Sequence, residues 1–141
     1  TLLQSGGDLQ RVQIIKGWID ERGESRQRIY EVAGDANSDA DVDLASCEAR
    51  GEGHKSLCTV WRDPDFQAGQ LAFYYARVLE NPSCRWSTRV CNAQRVDCSE
   101  PRKLPAEQVV CCSSRLRKSV QERAWTSPIW VSPAQPPSDS P

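Results

Sequence analysis

Seven cysteines are the residues best equipped for chemistry in this chain, at positions 47, 58, 84, 91, 98, 111 and 112 of 141. A thiol can act as nucleophile, metal ligand or half of a covalent strut, and spacing separates these roles. The intervals are 10, 25, 6, 6, 12 and 0 intervening residues, with no Cys-x-x-Cys pair and a single histidine, His54. Structural zinc sites draw on closely spaced Cys and His pairs. The pattern therefore favours disulfides, and with them an oxidising compartment, secreted or periplasmic. Cys47 and Cys58 flank a short Gly-containing loop and are the expected first bridge, contributing about 2–3 kcal/mol in the chain-entropy model. Cys111 and Cys112 would strain a ring closed between neighbours, so each is expected to bridge separately. Three bridges and one free thiol is the simplest count for Cys47, Cys58, Cys84, Cys91, Cys98, Cys111 and Cys112.

Carboxylates come next. Asp35, Asn37, Asp39, Asp41 and Asp43 alternate like the oxygen ligands of a calcium loop. Such a loop wants Gly at its sixth position and Glu at its twelfth; counted from Asp35, these are Ala40 and Ser46. The stretch reads first as a solvated acidic loop, with a noncanonical calcium site as the lesser alternative. Asp63 and Asp65 have the types of a general acid–base pair, but Asp-Pro-Asp reads first as a turn. His54, between Gly53 and Lys55, has no nucleophilic or acidic neighbour and reads as exposed. No catalytic residue and no cofactor is assigned.

The elements that must carry these residues are mostly strands. Leu9–Ile19, LQRVQIIKGWI, is rich in branched residues and predicts a strand. Val12, Ile14 and Trp18 would share one face and Ile15 and Ile19 the other, which places it near a sheet centre. Asp20–Gly23 is a turn signal, and Arg26–Val32 the hairpin partner. Residues 33–56 read as loop. LCTVW, 57–61, predicts a short strand. Residues 70–80 fit a strand or an amphipathic helix; the aromatic pair and the stop at Asn81-Pro82 favour strand. Pro105 opens one short helix. Val120–Val131 is the last strand, and Pro128 confines it to an edge or marks a bulge. Trp18, Trp61, Trp125 and Trp130 fall in these strands, where large aromatics are usually core. The expected fold is mainly β, an antiparallel sandwich-like domain over residues 1–131. It carries long disulfide-stapled loops, at most one or two short helices, and a disordered Pro/Ser-rich tail at 132–141.

Net charge is −1, from 18 basic and 19 acidic residues, and such a balance argues against nucleic acid as a partner. No apolar run reaches the roughly 20 residues of a membrane span. With no methionine present, the chain is expected to be a processed or excised part of a longer polypeptide.

The strings LQRVQIIKGWID, VWRDPDF, AFYYARVLENPSCRWS and QERAWTSPIW run in that order across about residues 9 to 131. They resemble the C-terminal part of a bacterial family, the domain of unknown function 3604 family. The resemblance implies a large exported protein whose N-terminal part is similar to metal-dependent hydrolases of the polymerase-and-histidinol-phosphatase type, with His-rich motifs. None of those motifs occurs here, so no metal ligand or catalytic residue is carried over. Two stretches depart from the family: CEARGEGHKSLC stands where a longer, cysteine-free loop is expected, and CNAQRVDCSEPRKLPAEQVVCC looks like a cysteine-rich elaboration. The expected function is a non-catalytic accessory domain whose partner is the N-terminal domain of the same polypeptide. Tyr74, Tyr75, Trp125 and Trp130 are the candidate contacts. The alternative is an independent extracellular module binding calcium or a glycan.

Overall fold

An 11-residue run carrying Val12, Ile14, Ile15, Trp18 and Ile19 has apolar groups on both sides of a period-two chain, and a central strand is the conformation that buries both. The computed structural model describes residues 7–132; the expected tail beyond Ser132 lies outside the described residues. In chain order the elements are β1 (Leu9–Ile19), β2 (Ser25–Gly34), β3 (Asp41–Val42), β4 (Ala49–Arg50), β5 (Ala72–Glu80) and β6 (Ser83–Cys84). They continue with α1 (Trp86–Ala93), a 3₁₀ turn (Pro101–Lys103), α2 (Ala106–Val109), a second 3₁₀ turn (Val110–Cys112), β7 (Ser119–Val120), β8 (Arg123–Trp125) and β9 (Ile129–Val131). The fold is mainly β and antiparallel, with two short helices. One sheet runs β2-β1-β5-β8 with β9 also on β5, and two ribbons pair β3 with β4 and β6 with β7.

Local chemistry sets the junctions. Asp20 shapes the β1–β2 turn: its Oδ1 accepts from the amides of Arg22 and Glu24, both at 2.9 Å, and Gly23 takes the φ of 79° that the turn requires. Gly17 is needed for a different reason. The Phe73 ring on β5 lies over it, and a Cβ there would stand 2.3 Å from Phe73 Cζ.

The last strand is split. β8 pairs with Arg77–Leu79 and β9 with Ala72–Tyr74, both on the same edge of β5. Between them the Ala76 amide donates to Thr126 Oγ1 at 3.0 Å, and the Thr126 amide donates to the Ala76 carbonyl at 3.1 Å. Pro128, which has no amide proton, sits in this break, as its chemistry demands.

Residues 83–120 leave the sheet after β5 and return before β8, where the Glu80 amide donates to the Glu122 carbonyl. This lobe has little buried apolar surface of its own and is held covalently. Cys91–Cys111 and Cys98–Cys112 close it internally, and Cys47–Cys84 ties it to the β3–β4 ribbon. The helix α1 was not expected. Among its residues only Thr88 is buried, so it has no apolar stripe for a sequence reading to detect.

Two expectations are corrected. LCTVW is not a strand: residues 57–61 cross the sheet without pairing. The segment packs on a face of the sheet instead, where Trp61 meets the Tyr30 ring and the following Asp63 pairs with Lys16. Cys47 accordingly bonds Cys84 rather than Cys58, which stays free and exposed. β3 packs beside β6, bringing Cys84 to the hairpin that carries Cys47.

Candidate functional site

Residues opposite one another in register share a face of the sheet. One face carries the rows Ile29–Ile15–Tyr75, Gln27–Gly17–Phe73–Trp130 and Glu31–Gln13–Arg77–Trp125. Among the described residues, Ile15 at its centre is the one large side chain that is wholly buried. Around it the apolar groups are open to solvent: Ile29 is 46% exposed, Trp125 59% and Trp130 73%. Phe73 stacks on Tyr75 with centroids 6.3 Å apart and meets Trp130 at 5.2 Å, tilted by 50°. At one end a hollow of about 500 Å³ is walled by Ile19, Leu71, Phe73 and Trp130, with Arg26 and Gln27 on its rim. Soluble monomers rarely leave contiguous apolar area uncovered beyond a few hundred Å². The expectation that Trp125 and Trp130 are core fails, since both side chains are exposed.

The opposite face is built differently. Lys16 sits in the middle of β1 with its side chain 3% exposed, and its Nζ donates to Asp63 Oδ2 at 2.6 Å and to the Asp65 carbonyl at 2.9 Å. Tyr74 Oη donates to the same Asp63 oxygen at 2.7 Å. Tyr30 Oη lies 3.0 Å from Asp65 Oδ2 and 3.3 Å from Asp63 Oδ1, and Arg28 pairs with Asp65. Trp61 packs on Tyr30 with centroids 4.9 Å apart. The Lys16 ammonium also lies 5.3 Å from the Trp18 ring centroid, within cation–π range. Burial pushes the Asp63 carboxyl up, but the Lys16 ammonium, the Tyr74 hydroxyl and the Asp65 amide outweigh it and hold Asp63 below its usual range. Burial, reinforced by the Asp63 carboxylate, raises Tyr74 far above the usual phenol value. Burial and the Asp65 hydrogen bond raise Tyr30 as well.

Here Asp63 and Asp65 form the expected turn, with the Asp65 amide on Asp63 Oδ1 at 2.9 Å. They are not poised as an acid–base pair: every close partner of Asp63 favours its charged form. Tyr74, a candidate contact residue, is committed to this network on the face away from Tyr75, Trp125 and Trp130. Lys16 and Tyr30 were missed by sequence reasoning. One signal was present: a lysine at the centre of an apolar strand needs a buried counter-charge, and Asp-Pro-Asp supplies it.

The acidic stretch is spent locally. Asp35 Oδ1 accepts from the Asn37 amide, and Asp43 Oδ1 from the amides of Ala45 and Ser46. Those two amides, Ser46 first, hold Asp43 low, and Arg50 pairs with it. Among the described residues no group of three or more His, Cys, Asp or Glu comes close enough to hold a metal ion. Asp35, Asn37, Asp39, Asp41 and Asp43 are thus not drawn together into a cage. His54 is exposed, and its backbone bridges Leu9 at the start of β1.

Fold and faces together define a class: an antiparallel β protein with a disulfide-stapled lobe, one open aromatic sheet face and one face closed by a polar clip. The chain belongs to the family described as Protein of unknown function (DUF3604), which it matches over residues 4–133. No curated protein and no solved structure matches it. Among the described residues no helix is long and apolar enough to cross a membrane.

Proposed function

We propose that the chain is a non-catalytic accessory domain of an exported, bacterial polypeptide, and that its open sheet face packs against a metal-dependent hydrolase-like domain of the same polypeptide. The observation that carries this reading is the cluster of Phe73, Tyr75, Trp125, Trp130 and Ile29 on one face. Aromatic side chains with neighbouring Arg and polar groups are the composition of interface centres, and Arg77 and Gln13 lie within this cluster. The rings also lean on one another, with Trp130 tilted 50° to Phe73. They form a knobbed surface suited to side chains of a partner domain more than a flat platform suited to a sugar ring. Three disulfides support an oxidising compartment, secreted or periplasmic.

Hydrogen-exchange mass spectrometry on the isolated chain and on the intact polypeptide tests this. Added protection confined to β2, β5, β8 and β9 in the intact polypeptide is the expected result. Identical exchange in the two would end the proposal. A glycan-binding module is the second reading, favoured by the exposure of Trp125 and Trp130. It requires a rise in melting temperature with soluble oligosaccharides.

A further inference from the structure

The clip on the covered face has a consequence for the segment that it holds. Residues 55–66 make no backbone–backbone hydrogen bond with any described residue. Such a segment lacks the ladder that would make it open together with the sheet. It is fixed at its start, where the His54 and Leu9 backbones exchange hydrogen bonds of 2.8 and 2.9 Å. Over the rest of its length it is fixed through the side chains of Trp61, Asp63 and Asp65 and the Asp65 carbonyl. Cys47–Cys84 closes a loop that contains the whole segment and β5, so both ends stay tethered when the middle lifts. Beneath its first half lies an incompletely filled hollow of about 410 Å³, bounded by Val12, Ile14, Val32 and Ala33 of the sheet and by Leu57 and Trp61 of the segment. Packing there is loose, and the fixing is concentrated at Asp63.

We propose that residues 55–66 form a strap that opens as a unit, latched by the buried Lys16–Asp63 pair, and that its release uncovers Val12, Ile14, Tyr30 and Tyr74 as a second apolar face. The device is independent of the open-face docking proposed above. The groups that face Asp63 are Lys16 from β1, Arg28 and Tyr30 from β2, Tyr74 from β5, and Asp65 on the strap itself. Asp63 is held below its usual 3.8 by its partners, so the latch is complete above that value and weakens as pH falls below it. Tyr74 is raised above its usual 10.0, so its share is complete below that value and is lost as pH rises well beyond it. Between the two the strap stays shut.

Limited proteolysis of the full, disulfide-bonded chain tests the latch, because cleavage of a locally opened segment follows the population of the open form. Chymotrypsin can cut the strap after Trp61 and Phe66, and the strands after Tyr30, Tyr74 and Tyr75. Asp63→Asn is expected to speed strap cleavage by about tenfold or more, the scale set by breaking a buried pair, with strand cleavage slow. Tyr74→Phe keeps the ring and loses one hydrogen bond, and is expected to speed it by about fivefold. In the unaltered chain, the ratio of strap to strand cleavage by pepsin is expected to be higher at pH 2 than at pH 4 while circular dichroism reports an intact sheet. Strap and strand sites cleaved in step, in either variant or in acid, would show that the network belongs to the global fold and overturn the proposal. Strap cleavage unchanged in both variants would overturn it equally.

Discussion

The sheet and the stapled lobe are ordered by opposite means. In the sheet, register does the work: β1 pairs along nearly its whole length with both β2 and β5, and Ile15, Ala72 and Leu79 bury what apolar surface there is. In the lobe, residues 83–120, two helices, a two-residue ribbon and two 3₁₀ turns enclose little more than Cys84, Thr88 and Cys111. Side-chain hooks add to the sulfurs there: Thr88 Oγ1 donates to the Lys118 carbonyl at 2.7 Å, and Asn92 Nδ2 donates to the Leu44 and Ala45 carbonyls at 2.9 Å each. Where a chain cannot bury enough apolar area to offset its conformational entropy, covalent closure lowers the entropy of the unfolded state instead. The comparison teaches that one chain can use both solutions side by side, with Cys47–Cys84 as the seam.

Reduction of all three bridges breaks this contrast most strongly. The lobe is expected to lose its order while the sheet persists, seen as loss of exchange protection in residues 86–112 with β1 and β5 still protected. Replacing only Cys47 and Cys84 by serine opens a 37-residue separation and is expected to cost about 4 kcal/mol in the chain-entropy model, measured by chemical denaturation. Cys98→Ser with Cys112→Ser, at a separation of 14, should cost about 3 kcal/mol in the same measurement.

On the sheet side, Lys16→Ala takes away the buried partner of Asp63, and a loss of about 3–5 kcal/mol is expected to fall on closure of the 55–66 strap, read as faster strap cleavage with strand cleavage still slow. Gly17→Ala forces the Phe73 ring to move and should cost about 1–3 kcal/mol. The smallest effect sharpens the functional reading. Trp130→Ser in the isolated chain is expected to change stability by no more than about 0.5 kcal/mol, as for any exposed side chain. In the intact polypeptide the same change should lower the melting temperature measurably. An equal response in both would place Trp130 in this chain's own stability and not at a junction.

Much of the sheet was legible because its signals are local. The run LQRVQIIKGWI declares a central strand through branched residues on both faces, and Asp20 and Gly23 declare the turn that follows. Pro128 declares a break at an edge. The odd cysteine count gave three bridges and one free thiol, and adjacency gave separate partners for Cys111 and Cys112. Of the candidate contact residues, Tyr75, Trp125 and Trp130 share the open face, and Tyr74 lies on the other, as the alternation of a strand over 70–80 requires. Cys47–Cys58 was misread because loop length along the chain says nothing of which hairpin packs beside which strand.

The sequence by itself determined period, turn chemistry and the number of covalent ties, since each depends on residues that are neighbours along the chain. Tertiary structure alone decided that Lys16 meets Asp63 across 47 positions, that Cys47 meets Cys84, and which side of the sheet stays uncovered. Those outcomes depend on how distant segments compete for the same edges and faces, and the DPD segment took a face because Lys16 there offered Asp63 a buried counter-charge.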